Sequence, residues 1–196
     1  MLRFAARRRT ARLNFDVRPQ KYMHITRLTA SDALEYRELM LEAYEQAADA
    51  FTTTADERSR EPLSWWQRRI ASPDGLSECF GAFAGKSLVG TVALEYSAKP
   101  KTRHSALLIG MYLRPANRGS GAGRALVEAA IQAAAARPEI LGIRLTVTDG
   151  NEPAIRLYKS AGFIAWGTQP QAIRTPTGFK GKVHMSLLLP QAPAAA

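Results

Sequence analysis

The segment from Met111 to Leu126 (MYLRPANRGSGAGRAL) sets an apolar run directly before glycines at 119, 121 and 123 and an alanine-rich stretch. Glycine has no Cβ, so successive backbone N–H groups in such a turn can converge on phosphate oxygens, and the positive end of a following helix dipole adds to the attraction. The spacing predicts an anion site at a strand–turn–helix junction. A P-loop would need Gly-x-x-x-x-Gly-Lys-Ser/Thr, and no Lys-Ser or Lys-Thr follows Gly123, which argues against a nucleoside triphosphate. A dinucleotide fingerprint would read Gly-x-Gly-x-x-Gly inside an early βαβ unit. Here Gly-x-Gly-x-Gly falls more than a hundred residues in, after a proline-broken strand end, so NAD is disfavoured.

A second group of chemistry-bearing residues is Asn151-Glu152-Pro153-Ala154-Ile155-Arg156-Leu157-Tyr158-Lys159-Ser160-Ala161-Gly162-Phe163. Asn151 suits an N-cap, Pro153 a first helical turn and Gly162 the C′ position, which predicts a short helix with Tyr158 midway along it. Taken together, Arg118-x-x-Gly121-x-Gly123 and Asn151-x-x-Ala154-x-x-Leu157-Tyr158 resemble the acyl-CoA-binding motifs of the GNAT superfamily of N-acetyltransferases. The resemblance is strongest from residue 105 to 163.

That resemblance implies acetyl-CoA as acyl donor, with its pyrophosphate on Arg118, Gly119, Ser120, Gly121, Ala122, Gly123 and Arg124. Its pantetheine arm would lie against Asn151 and against the backbone at Met111 and Leu113, in a gap where two central strands splay apart. It also implies direct transfer of the acetyl group to a primary amine of a small molecule or peptide. Tyr158 would protonate the departing thiolate and a backbone N–H near Leu113 would stabilise the oxyanion. An amine of ordinary basicity arrives protonated, so a base or water chain must take its proton, and Glu95 and His104 are the candidates. In the superfamily the acceptor is selected by the loop between the first two helices and by the last hairpin, here 50–61 and 169–182. The hairpin carries Arg174, Lys180 and Lys182 with no acid, which favours an acceptor bearing a carboxylate or phosphate over a polyamine.

The elements that must position these residues follow from periodicity. Met23 to Leu28 reads as an opening strand. Thr29-x-x-Asp32 is a capping-box-like start to a helix through about Ala47, with Ala33, Tyr36, Met40, Ala43, Tyr44 and Ala47 on one stripe. The polar, Thr-rich 50–61 reads as a loop, and 62–70 as a second helix whose Trp65 and Trp66 are assigned to packing. Runs at 80–83 and 88–96 form a hairpin, 105–113 a third neighbouring strand, and 121–136 a helix that ends before Pro138. Strands at 143–147, 163–167 and 183–189 complete the chain. The expected fold is α/β (α+β), GNAT-like: a mixed, mostly antiparallel central sheet flanked by helices, with splayed central strands.

The chain of 196 residues, 46% of them hydrophobic, is long enough for a core that needs no disulfide or metal. One cysteine excludes an internal disulfide, and Cys79 reads as a buried thiol rather than a nucleophile. His24, His104 and His184 lack ligand spacing, so no metal is expected, and no apolar run of 18 residues predicts a membrane span. The net charge of +10 is unevenly placed: Arg3, Arg7, Arg8, Arg9, Arg12, Arg18 and Lys21 against Asp16 supply six of those charges. Residues 1–22 are expected to be a basic extension outside the core, 23–189 the N-acetyltransferase domain and 190–196 a disordered tail. Cytoplasmic localisation follows as the default for such a chain, and a homodimer stays open. Two other classes are weighed: a non-catalytic acyl-CoA-binding regulatory domain, opposed by the presence of both Asn151 and Tyr158, and a basic nucleic-acid-binding protein, for which no zinc-finger, RNP or helix-turn-helix signature is present.

Overall fold

The computed structural model describes residues 23–190, so the expectations for the leader 1–22 and for the tail beyond Pro190 lie outside the described residues. Seven strands form one sheet in the order β1-β2-β3-β4-β5-β7-β6: β1 Met23–Arg27, β2 Ser77–Ala84, β3 Ser87–Glu95, β4 Ser105–Leu113, β5 Gly142–Thr148, β6 Ile164–Thr175 and β7 Gly178–Leu188. Every neighbouring pair is antiparallel except β4 with β5. This is the mixed α/β, mostly antiparallel arrangement expected from the sequence.

The helices cover both faces. On one face α1 (Ala33–Gln46) and α3 (Leu63–Ile70) bury Tyr36, Leu39, Met40, Trp66 and Ile70 against Cys79, Leu88 and Ala93 of the sheet. On the other, α4 (Ala122–Ala135) and α5 (Glu152–Ser160) bury Leu126, Val127, Ile155 and Tyr158 against Val92, Leu145 and Met185. Side chains as fully enclosed as Leu126 and Leu39 contribute about 1.5–3 kcal/mol each through the water they release. Sequence accounts for the helix ends. The Asp32 carboxylate takes the Thr29 N–H at 2.7 Å ahead of α1, and the Asn151 side chain takes the Ala154 N–H at 3.3 Å at the start of α5.

Two expectations need correction. The stretch 50–61 is not all loop: α2 (Ala55–Ser59) forms there, closed by a reciprocal capping box in which Glu57 N–H donates to Thr54 Oγ1 and Thr54 N–H to Glu57 Oε2. The last hairpin is strand for most of its length, since β6 and β7 pair from Ile164 opposite Ser186 out to Thr175 opposite Gly178, with the register shifting between Gln169 and Ile173. Both tryptophans pack as expected, Trp66 enclosed in the core and Trp65 partly buried against it, with ring centroids 5.0 Å apart. Among the described residues no helix is long and apolar enough to cross a membrane, and no group of three His, Cys, Asp or Glu side chains is placed to hold a metal.

Candidate active site

The parallel pairing of β4 with β5 lasts three residues: Ser105 faces Gly142, Ala106 faces Ile143 and Leu107 faces Arg144, and beyond that the strands part. β5 meanwhile stays paired to β7 along its whole length, from Gly142 opposite Leu188 to Thr148 opposite Lys182. A bulge in β4 accompanies the departure. Its register against β3 shifts by one residue between Thr91 and Ala93, and Gly110 takes a left-handed φ of 62° that a side chain would strain. Arg114 N–H donates to Val89 O at 2.9 Å, which turns the N–H and C=O of the preceding Leu113 toward the gap. Arg118 Nε donates to that Leu113 carbonyl at 3.1 Å.

The gap is the middle of a cleft of about 400 Å³ that passes through the sheet. On the α4/α5 face it is lined by Asn151, Ala154 and Tyr158, and on the α1/α3 face by Tyr44, Arg58 and Arg69. Backbone from Leu107 to Met111 and from Thr146 to Thr148 forms its walls, and Lys182 lies at the β7 side. The Asn151 carbonyl oxygen is spent on capping α5, which fixes the side chain and leaves its NH2 group as donor. Tyr158 is buried and edge-stacked on Phe163, with ring centroids 5.8 Å apart. Desolvation holds its hydroxyl well above the ordinary tyrosine range, so it is protonated at neutral pH, and among the described residues it has no hydrogen-bond partner. Its hydroxyl hydrogen is therefore free to be donated into the cleft.

The glycine loop lies beyond the cleft, at the N-terminus of α4. Gly119 and Gly121 have φ of 75° and 85°, and a Cβ at either would meet no protein atom. Their use is backbone conformation and an open concave face. Among the described residues the N–H groups of Gly119, Ser120, Gly121, Gly123 and Arg124 find no acceptor in the protein, while Ser120 Oγ is held by Asn117 O at 2.7 Å. Gly123 differs, with ordinary φ and a Cβ position 3.6 Å from Leu157 and Met111 side chains, so α5 and β4 pack against it.

The structure thus brings Met111, Asn151 and Tyr158 to the cleft and sets Arg118 to Arg124 at one end of it, with Leu113 joining the two. It does not bring Glu95 or His104 there. The Glu95 carboxylate is held by Arg69 at 2.7 Å and reaches the cleft only through that guanidinium, while His104 is exposed in the turn before β4, at the opposite end of the strand from the loop. A base at either position is not supported by where these side chains sit. No acid or histidine lines the cleft among the described residues. Sequence reasoning does not point to Arg58 or Arg69, because 50–61 reads as a loop and 62–70 as a helix whose two tryptophans are assigned to packing.

Comparison with known proteins places this geometry. Residues 36–163 match the family model described as Acetyltransferase (GNAT) family. A streptothricin acetyltransferase of Escherichia coli is 31% identical over 114 residues, 57% of this chain and 63% of that protein. The L-amino acid N-acetyltransferase AaaT of Escherichia coli K12 is 29% identical over 103 residues, 53% of this chain and 62% of that protein. The chain thus spans a little under two thirds of the length of these curated relatives. Among solved structures, yncA of Salmonella typhimurium with its cofactor acetyl-CoA superposes with a TM-score of 0.70 at 21% identity, covering 89% of this chain and 98% of that one. The chain belongs to the GNAT acetyltransferase family.

Proposed function

We propose that residues 23–189 form an N-acetyltransferase that carries the acetyl group of acetyl-CoA directly to a primary amine of a small molecule or peptide. The observation that carries this reading is the gap between β4 and β5, which holds a protonated, unpartnered tyrosine and continues into a loop of unpaired N–H groups. An extended ligand with a polar arm and a pyrophosphate fits that sequence of groups. The arm lies along unpaired strand edges and the phosphates meet the open loop at the helix N-terminus.

Acetyl-CoA, when bound, supplies an activated carbonyl and a thiolate leaving group. The chain's own residues do the rest. Gly119 to Arg124 hold the pyrophosphate, Asn151 NH2 and the Met111 backbone orient the arm, and the inward N–H of Leu113 stands ready to stabilise negative charge on an oxygen. Tyr158 delivers its proton to sulfur. The amine loses its proton to water in the cleft mouth, since no carboxylate or imidazole lines it. The test is calorimetric titration with acetyl-CoA followed by a screen of amine acceptors read as free thiol release. Tight binding and release dependent on acceptor are expected; absence of acetyl-CoA binding would overturn the reading.

A further inference from the structure

The cleft has two mouths and only one is accounted for by the glycine loop. The other, on the α1/α3 face, is lined by Tyr44, Phe51, Arg58 and Arg69. Arg58 of α2 and Arg69 of α3 both lie over the Trp65 ring, their Cζ atoms 4.6 and 5.5 Å from its centroid. Both guanidiniums are thus positioned by contact with the same indole, and both arginines line the cleft. Each has one carboxylate neighbour, Glu61 at 3.6 Å from Arg58 and Glu95 at 2.7 Å from Arg69, and each keeps a buried Nε with no acceptor. Lys182 adds a third cation to the same cleft, with Ala50 O and Thr148 Oγ1 as its acceptors. The walls beside them are Tyr44 and Phe51, edge-stacked at 4.9 Å.

Converging positive groups with aromatic walls and no acid among the lining residues make a site that repels cations and is stabilised by an anion. Phosphate is provided for at the far end of the cleft, so the anion here belongs to the acceptor. The volume limits the acceptor further. About 400 Å³ takes the thioester end of the donor together with a small acceptor, which suits amine and anion carried on one small molecule. Planar guanidiniums favour a carboxylate, which they bond through two nitrogens at once. Resting on the acetyltransferase reading above, we infer that Arg58 and Arg69 form a carboxylate clamp on the acceptor side of the cleft, and that the amine acetylated is that of a free amino acid.

The experiment compares the proteinogenic L-amino acids with their carboxamides as acceptors, measuring thiol release in the parent, Arg58→Gln, Arg69→Gln and Arg69→Lys. Acids are expected to exceed the matching amides at least tenfold in kcat/KM. Each glutamine variant should raise the KM for the acid by roughly 10–100-fold, the scale of a lost charge-assisted pair, with kcat and acetyl-CoA affinity less affected. Arg69→Lys should recover part of the loss. Equal use of acids and amides, or an equal loss for both in the variants, would overturn the clamp while leaving the acetyltransferase intact. If no acceptor is turned over, titration of the tryptophan fluorescence with the same acids and amides decides directly. Quenching by acids alone, lost in Arg58→Gln, supports the clamp, and no discrimination refutes it.

Discussion

Lys182 Nζ donates to Thr148 Oγ1 at 2.8 Å, and the Thr148 hydroxyl donates in turn to the Asp49 carbonyl, so β7 and the end of β5 are tied to the segment that follows α1. Lys182 is 5% exposed as a residue, and desolvation holds its pKa below the ordinary lysine value. The unfolded chain keeps that proton until about pH 10.4, whereas the folded chain gives it up earlier. Folding stability from this group therefore rises as pH climbs from the depressed value toward about 10.4. Comparing the parent with Lys182→Met by thermal unfolding between pH 7 and 10, the parent should gain on the variant as pH rises. A difference that is flat, or that moves the other way, would sink the assignment of a strained ammonium.

Tyr158→Phe separates proton delivery from packing. The ring stays against Phe163 and no protein hydrogen bond is lost, so the unfolding midpoint should move by no more than the equivalent of about 0.5 kcal/mol. Under the proposed mechanism kcat falls by roughly 10²-fold with acetyl-CoA affinity unchanged. Near-parental turnover in a single-turnover measurement would remove the general-acid role.

At Gly121 the penalty is conformational rather than steric, since a Cβ meets no protein atom while φ is 85°. Gly121→Val should cost about 1–2 kcal/mol of stability and weaken acetyl-CoA binding at least tenfold, as the loop relaxes to a backbone that turns its N–H groups away. Gly123→Ala has an ordinary φ and contacts at 3.6 Å, so it should unfold like the parent. Calorimetry on the pair tests this; equal affinities for Gly121→Val and the parent would show that the loop is not the anion site.

Cys79 is fully enclosed, with Thr91 Oγ1 3.0 Å from its sulfur, and burial pushes the thiol up to about 12. The native protein should leave a disulfide exchange reagent unreacted at pH 8 and release one equivalent on denaturation. Rapid reaction in the folded state would contradict the enclosure.

What was legible in the sequence was local. The boundaries of β4 were read to the residue, and the Asn151 cap and Gly162, with its φ of 93°, marked both ends of α5, because glycine and capping side chains act over a few residues. The Thr54-x-x-Glu57 box is equally local, but the polar, Thr-rich composition around it reads as loop. The Arg58–Trp65–Arg69 cluster was not legible. It depends on α2 and α3 folding onto the sheet, and no spacing in the chain announces that two arginines eleven positions apart will share one ring. The same holds for Glu95, whose partner lies 26 residues away, and this is why it read as a free base.

The parting of β4 from β5 divides the backbone of this protein into two leaves. Strands β1 to β4 make one and β5 to β7 the other, and the backbone pairing of the two strands along the seam is confined to Ser105, Ala106 and Leu107 with Gly142, Ile143 and Arg144, at one end. A seam fastened at one end opens at the other, so hydrogen exchange in the empty chain should report two protection levels, one for each leaf. A ligand laid along both free edges works as a rivet. It adds its binding free energy to the joint, merges the two levels into one and raises the melting of both leaves together. The line along which the molecule is least well sewn is then also the line along which it does its chemistry.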